Sequence, residues 1–197
     1  MFFGMFGSIF LMSQFFQTVQ GYSPLGSGLR ILPWTIMPMF VAPVAGALSD
    51  RIGGARLMGI GLTLQASGLA AMAAISTPTT PYWELVAPFM VSGMGMAMFW
   101  APVANVVLAA VRKEEEGQAS GAQNAIRELG GVFGVAVLAS VWSHYGSYRT
   151  GTSFVDGMTP AVWVGAVIVL LGAVAAFAIP RRRVSEAVEA PALAEAA

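Results

Sequence analysis

The chain has 197 residues with a formal net charge of zero, and 56% of them are hydrophobic while only 10% are charged. Soluble domains usually carry about 25% charged residues, so this composition excludes an ordinary soluble protein. The absence of cysteine and the single histidine, His144, leave no disulfide and no cluster of metal ligands, so we expect no metal site and no cofactor. The ten basic residues are scattered along the chain, which argues against a nucleic-acid partner.

Six stretches contain no Asp, Glu, Lys or Arg, and each is at least 19 residues long. A helix rises about 1.5 Å per residue, so about 20 apolar residues cross the hydrocarbon core of a bilayer. The pattern therefore predicts an all-α integral membrane protein, with one bundle of six transmembrane helices over residues 1–183 and a disordered cytoplasmic tail over 184–197. The uncharged stretches are 1–29, 31–49, 57–83, 85–111, 129–148 and 157–180.

The distribution of basic residues predicts the orientation in the membrane. With six spans, eight of the ten fall on one side and two, Arg30 and Arg149, on the other. Short loops rich in Lys and Arg stay in the cytoplasm, so we expect a plasma-membrane protein with both termini on the cytoplasmic side. The predicted helices span 3–21, 30–48, 57–76, 84–110, 123–145 and 160–180. The outer connections between them are rich in turn residues and are predicted to be loops, the longest over 146–159.

Proline and glycine mark the interior of several spans. The second span contains Pro33, Pro38 and Pro43, and the fourth contains Pro88 and Pro102. Each proline removes a backbone hydrogen bond, so we expect both helices to be kinked and to face protein, as in transporters that rock around a cavity. Glycine pairs predict close helix packing, namely Gly130 with Gly134, Gly61 with Gly68, and Gly165 with Gly172.

A few polar or amphipathic side chains depart from a purely lipid-facing pattern. At membrane depth such groups either make hydrogen bonds between helices or line a cavity and orient a ligand, whereas a tryptophan near a helix end also suits the interfacial belt. No Asp or Glu lies at the middle of a span, so the sequence indicates no central proton carrier in this chain. The candidate cavity-lining residues are Gln14, Gln17, Trp34, Gln65, Asn105 and Asn124.

The second inner loop carries a recognisable motif over residues 46–56. It reads Gly, three residues, Asp, a basic residue, any residue, Gly, and a further basic residue. We expect Gly46 to permit a close helix crossing, Gly53 to allow a tight reversal, and Asp50 to cap or complement a helix N-terminus. This pattern resembles the loop signature of the major facilitator superfamily, from which it departs at Gly54 and Ala55, where basic residues are common.

The resemblance implies that this loop latches a cytoplasmic gate. The inner-gate residues it suggests are Gly46, Asp50, Arg51, Gly53, Arg56, Arg112 and Arg127. The alternative is that these charges only set topology and reach to the membrane interface.

Two further stretches resemble the fourteen-helix drug:proton antiporter branch of that superfamily. They are 17–24 with Gly28 and Pro33, and 117–124 with Arg127, Gly130, Gly131 and Gly134. The resemblance covers about residues 1–183 and corresponds to the last six helices of that branch. It implies proton-coupled efflux of drugs or other amphipathic small molecules by alternating access, with the substrate held between two bundles. The partner would then be a missing N-terminal bundle or a second copy of this chain.

A non-transporting six-helix scaffold or assembly partner is the alternative from another class. Broken helices and the gate-like loop argue against it, because a simple anchor needs neither. A membrane-embedded enzyme would need a carboxylate pair, a histidine cluster or an activated nucleophile at membrane depth, and the sequence has none.

Overall fold

The computed structural model describes residues 1–179 of the chain, and these form six long helices with no strand among them. Helix α1 spans Phe2–Gln14 and continues through a π-helical turn, Phe15–Val19. The others are α2 Pro24–Ile52, α3 Gly54–Ile75, α4 Tyr82–Leu108, α5 Glu116–Tyr145 and α6 Gly151–Phe177. All six are long and apolar enough to cross a membrane, counting the π turn with α1, which confirms the predicted fold class.

Helix ends differ from the predicted ones where a local cap extends a helix. The predicted outer loop over 146–159 is wrong from Gly151 onward, because the Thr150 hydroxyl caps α6 by accepting from the Ser153 N–H at 3.1 Å. Helix α2 begins at Pro24 rather than at residue 30, since Ser23 caps it and proline suits the first helical position. Helix α5 begins at Glu116 rather than 123. The basic residues 181–183 and the predicted disordered tail over 184–197 lie outside the described residues.

The helices pack as two related groups of three. Helix α3 contacts both α4 and α6, α2 packs on α4, and α1 packs on α5 and α6. The first three helices correspond to the last three, α1 to α4, α2 to α5 and α3 to α6. When corresponding helices are exchanged, every contact named here becomes a contact of the same set. Such internal repeats are typical of secondary transporters. Of the six helices, α3 is the most buried and α2 and α5 the least, so α2 and α5 each keep one face uncovered by the bundle.

Glycine seams hold the central contacts together. A Cβ at Gly61 would lie 2.6 Å from the Gly95 carbonyl oxygen, and one at Gly68 would lie 2.8 Å from the Pro88 oxygen, so α3 and α4 approach at backbone distance. Gly134 meets the backbone of Phe3 in the same way between α5 and α1. These three contacts confirm the predicted close packing at Gly61, Gly68 and Gly134, but not at the other predicted positions.

The other predicted seam glycines are looser. A Cβ at Gly130, Gly165 or Gly172 would meet its nearest neighbour at 3.5, 3.3 or 3.7 Å. These positions tolerate a methyl group more readily than the tight ones do.

The five prolines lie inside helices as predicted, but in different surroundings. Pro88 and Pro102 are buried in α4 against α3, where they face protein. In α2, Pro33 and Pro38 are half-buried and Pro43 is exposed. The expectation that α2 faces protein along its length is therefore not met within this bundle, because α2 lies at its edge and packs mainly on α4.

Candidate functional site

The end of α1 at which the chain turns into α2 is irregular. We call this end of the bundle outer and the opposite end inner, after the topology predicted from the basic residues. Residues Phe15–Val19 form a π-helical turn, and the Tyr22 N–H then donates to the Phe16 carbonyl at 2.9 Å. Gly21 has φ +72, a conformation that favours glycine. Single π turns inside helices occur frequently at functional sites. The turn supplies Gln17 to a group of polar and aromatic side chains that we call the outer cluster: Ser13, Gln17, Tyr22, Ser27, Arg30 and Tyr82.

Hydrogen bonds at the end of α1, and one bond between α1 and α2, form the inner half of the outer cluster. The Gln17 amide donates to the Ser13 hydroxyl at 2.9 Å and to the Ser13 carbonyl at 3.2 Å. The Ser27 hydroxyl donates to the same carbonyl at 3.3 Å across the helix interface. Gln17 therefore uses its donors within the bundle, while its side chain stays only half-buried.

Arg30 forms the other half of the outer cluster. Its guanidinium carbon lies 3.4 Å from the centre of the Tyr22 ring and 5.4 Å from that of Tyr82. Its Nη1 donates to the Gly26 carbonyl at 3.1 Å, and the Tyr82 hydroxyl donates to the Arg30 carbonyl at 3.2 Å. A cation over an aromatic face contributes about 0.5–2 kcal/mol, so this group ties α2 to α4 and to the α1–α2 connection. Sequence reasoning assigned Arg30 only to the outer side, because no local pattern links it to Tyr82, 52 residues later.

Two predicted cavity-lining residues lie inside the bundle instead. Trp34 is fully buried, with its ring stacked on Phe89 at 5.9 Å, and Gln65 is fully buried between α3, α4 and the start of α1. Gln65 donates to the Met1 carbonyl at 3.4 Å. This placement keeps both side chains from any open surface of the bundle and excludes the interfacial belt for Trp34. The Trp34 Nε1 and the Gln65 Oε1 have no hydrogen-bond partner among the described residues.

The remaining predicted cavity residues are reachable from outside the bundle. Gln14 is half-buried on α1. Asn105, in the last turn of α4, and Asn124, near the inner end of α5, are both exposed. Asn105 and Asn124 lie at the inner end, far from Gln14, so the structure does not gather the predicted lining residues into one pocket.

The α2–α3 loop is shorter than its motif suggests. Helix α2 runs to Ile52 and α3 begins at Gly54, so the reversal rests on Gly53 alone, whose φ of +91 confirms the predicted need for glycine. A Cβ at Gly46 would meet nothing within 4 Å, so the expected close crossing is absent from the described part of the chain. Gly54 makes the close contact instead, since a Cβ there would lie 2.6 Å from Val106 on α4.

The charged residues at the inner end do not form one network. Asp50, Arg51 and Arg56 are exposed, and neither of the two ion pairs within residues 1–179 includes them. The predicted capping role of Asp50 is also unmet, because Gly53 occupies the N-cap of α3 without a side-chain hydrogen bond. These groups lie where α2 ends at the edge of the bundle, and the described helices place no partner beside them.

The two other predicted gate residues make local ion pairs. The Arg112 guanidinium donates to Glu115 at 2.7 Å, at the short 3-10 turn Lys113–Glu115. Arg127 donates to Glu128 at 3.0 Å and lies 5.5 Å from the Phe2 ring. Exposed ion pairs of this kind contribute about 0–1 kcal/mol, so they position the side chains without rigidly fixing the inner end.

Comparison with known proteins identifies relatives over most of the chain. The family model described as Major Facilitator Superfamily matches residues 1–196. "Multidrug resistance protein Stp" of Mycobacterium tuberculosis is 37% identical over 140 residues, covering 71% of this chain and 26% of that protein. The "Tetracenomycin C resistance and export protein" of Streptomyces glaucescens is 30% identical over 158 residues, covering 78% of this chain and 28% of that protein. The "Uncharacterized transporter YebQ" of Escherichia coli is 30% identical over 149 residues, covering 75% and 32%. The chain thus spans about a quarter to a third of the length of these curated relatives.

Proposed function

This chain belongs to the Major Facilitator Superfamily, and we propose from that premise that it is one six-helix half of a proton-coupled exporter of drugs or other amphipathic small molecules. Membership makes it an integral membrane protein of a transporter family rather than an enzyme. The named functions of two relatives, multidrug resistance and tetracenomycin C export, support efflux as the direction of transport.

The irregular outer end of α1 is the observation on which the proposal rests most directly. Backbone that departs from regular helix at membrane depth is tolerated where it is buried in protein or lines a water-filled cavity. Here the π turn contains Gln17 and directly follows Ser13 and Gln14, on a helix that packs on α5 and α6. A pathway along the uncovered side of α1 would place these polar groups against the substrate, and the Arg30 group would hold the outer end of that pathway.

The proposed half needs a second bundle to enclose a substrate. We propose an N-terminal bundle or a second copy of this chain as that partner, since both would restore a twelve-helix core. The exposed Asp50, Arg51 and Arg56 would then pair across the inner gate, and the open space at Gly46 would receive the partner's helix. The excess of basic residues on this side supports a cytoplasmic location for the gate and for both termini.

Proton-driven dye flux in proteoliposomes tests the proposal. The purified chain is reconstituted, a pH gradient is imposed, and movement of an amphipathic fluorescent dye is followed before and after the gradient is collapsed. Asp50→Asn tests the gate, and Asp156→Asn is the matched control, because Asp156 is the other aspartate of the chain and lies exposed at the outer end of α6.

We expect gradient-dependent flux that Asp50→Asn abolishes and Asp156→Asn preserves. Flux that is indifferent to the pH gradient would contradict proton coupling. A further outcome is a folded chain that shows no flux until it is reconstituted together with the protein encoded by a longer reading frame. That result would contradict transport by two copies of this chain and would favour an N-terminal bundle as the partner. Absence of flux in both preparations would favour the scaffold alternative.

A further inference from the structure

An open pocket of about 380 Å³ lies at the outer end of the bundle, between α6 and the residues that follow α3. Its wall on α6 is a single helix face, because the lining positions recur at three- and four-residue spacing. No residue of α1, α2, α4 or α5 within the described chain lines it, so it is separate from the outer cluster and from the pathway proposed along α1. The α6 positions are Thr152, Val155, Asp156, Thr159 and Pro160.

Asp156 gives this pocket a negative charge and two kinds of oxygen acceptor. The residue is exposed, and neither of the two ion pairs within residues 1–179 includes its carboxylate. Pro160 has no N–H, so the Asp156 carbonyl lacks the donor that an α-helix normally supplies four residues later. Both residues line the pocket, and the described lining contains no basic residue to compensate the charge. The pocket is therefore suited to a cation.

Two hydroxyl groups on the other wall can only accept hydrogen bonds from a ligand. The Ser76 hydroxyl donates its proton to the Met72 carbonyl at 2.7 Å. The Thr80 hydroxyl donates to the Ile75 carbonyl at 2.8 Å, so the Thr77 hydroxyl is the donor in its 2.7 Å contact with Thr80. Each hydroxyl has a single proton, so Ser76 and Thr77 present only lone pairs to the pocket that they line. A cation that donates several hydrogen bonds satisfies these groups, whereas an anion does not.

The size and the lining of the pocket narrow the class of cation. A water molecule occupies about 30 Å³ of the liquid, so the pocket is much larger than a bare metal ion needs. Quaternary ammonium ions are recognised over aromatic faces, and the described lining contains no aromatic residue. Pro78, Val155 and Pro160 offer apolar contact to a short carbon chain. A primary ammonium group on such a chain matches both the acceptors and the apolar walls.

We propose that this pocket binds a primary ammonium group carried on a short carbon chain, with Asp156 as its counter-ion and Ser76 and Thr77 as hydrogen-bond acceptors. The two walls already meet beside the pocket, since a Cβ at Gly151 would lie 3.4 Å from Pro78. The basic residues place this end away from the cytoplasm, so the ammonium group belongs either to an aminophospholipid headgroup of the outer leaflet or to a free amine in solution. The ligand is distinct from the exported substrate, and dye flux should not depend on it.

Saturation-transfer NMR with ethanolamine tests the pocket, and choline is the N-methylated control. The full chain is placed in nanodiscs of phosphatidylglycerol, which carry no amine. Asp156→Asn removes the charge and keeps the shape of the side chain. Glu84→Gln is the matched control, since Glu84 is an acid in the first turn of α4, at the same end of the bundle and outside the described lining. Native mass spectrometry then measures which lipid the detergent-solubilised chain retains from an equal mixture of phosphatidylethanolamine and phosphatidylcholine.

Ethanolamine should bind the parent chain about tenfold or more tightly than choline does, and about tenfold or more tightly than it binds Asp156→Asn, because each change removes charge-assisted hydrogen bonds. Glu84→Gln should differ from the parent by less than about twofold, since salt screens exposed charges outside the pocket. The comparison with choline uses the parent chain alone, so it decides the matter even if a variant unfolds.

The lipid measurement distinguishes the two sources of the ammonium group. Preferential retention of phosphatidylethanolamine that Asp156→Asn abolishes would assign the pocket to the headgroup. Ethanolamine binding without a lipid preference would assign it to a free amine. Equal binding of ethanolamine and choline, or equal binding by the parent and Asp156→Asn, would overturn the proposal. A folded parent chain that prefers neither ethanolamine nor phosphatidylethanolamine would overturn it as well.

Discussion

The contact between Gly134 on α5 and the backbone of Phe3 on α1 makes a sharp test of the packing. A Cβ at Gly134 would lie 2.7 Å from the Phe3 Cα and 2.8 Å from its carbonyl carbon, in addition to overlapping the carbonyl oxygen. These are backbone atoms of another helix, so no side-chain rotation relieves the clash and α1 must move. Gly134→Ala should therefore destabilise the bundle.

Gly130→Ala is the matched control, on the same face of α5 one turn earlier. Its Cβ would meet Phe2 at 3.5 Å, an ordinary van der Waals contact. Both substitutions gain the same helix propensity, about 1 kcal/mol, so the difference between the two variants isolates the overpacking cost of about 1–3 kcal/mol. The upper half of that range corresponds to a difference in apparent Tm of about 4–12 °C for a domain of this size.

Thermal unfolding in a fixed detergent and at a fixed scan rate provides the comparison, because membrane-protein unfolding is commonly irreversible and its midpoint depends on scan rate. Gly134→Ala should melt below both the parent chain and Gly130→Ala, and Gly130→Ala should melt at or above the parent. Equal melting of the two variants would refute the packing argument, since it would mean that α1 and α5 adjust without cost.

Two further predictions concern the outer cluster and the inner loop. Arg30→Ala should lower the apparent Tm by several degrees, because it removes a cation–π contact with Tyr22 that contributes about 0.5–2 kcal/mol of stability. Arg149 is an exposed arginine on the same side, so Arg149→Ala should leave the Tm unchanged. Equal effects of the two substitutions would contradict the cation–π contact. Gly53→Ala should destabilise the chain by about 1–3 kcal/mol because φ is +91 there, while Gly46→Ala, in open space within a helix, should be neutral or stabilising; unfolding midpoints that coincide would show that the loop relaxes without strain.

The membrane class and the helix count were readable from residue type alone. Water is absent from the hydrocarbon core, so a span must be both apolar and helical, and six long uncharged stretches leave little choice of fold. The need for glycine at position 53 was also predictable, because a one-residue reversal between helices requires a positive φ. The loop motif containing it led to the family that the comparison confirmed.

Contacts between distant parts of the chain could not be read in this way. Trp34 was expected at an interface or a cavity but is buried against Phe89, because only the packing of α2 on α4 determines which way its ring points. The motif predicted a close crossing at Gly46, yet Gly54 is the glycine that meets another helix.

The sequence by itself determined where the chain crosses the membrane, because the free energy of burying each residue in lipid depends on that residue and its near neighbours. Only the tertiary structure decided which polar groups meet. Arg30 joins Tyr22 and Tyr82 because α2 packs on α4, whereas Asp50 remains without an ion pair within residues 1–179 because the inner end of α2 lies at the edge of the bundle. Lipid tails are as apolar as leucine, so hydrophobicity does not select helix partners, and close backbone approach at glycines such as Gly61, Gly95 and Gly134 does.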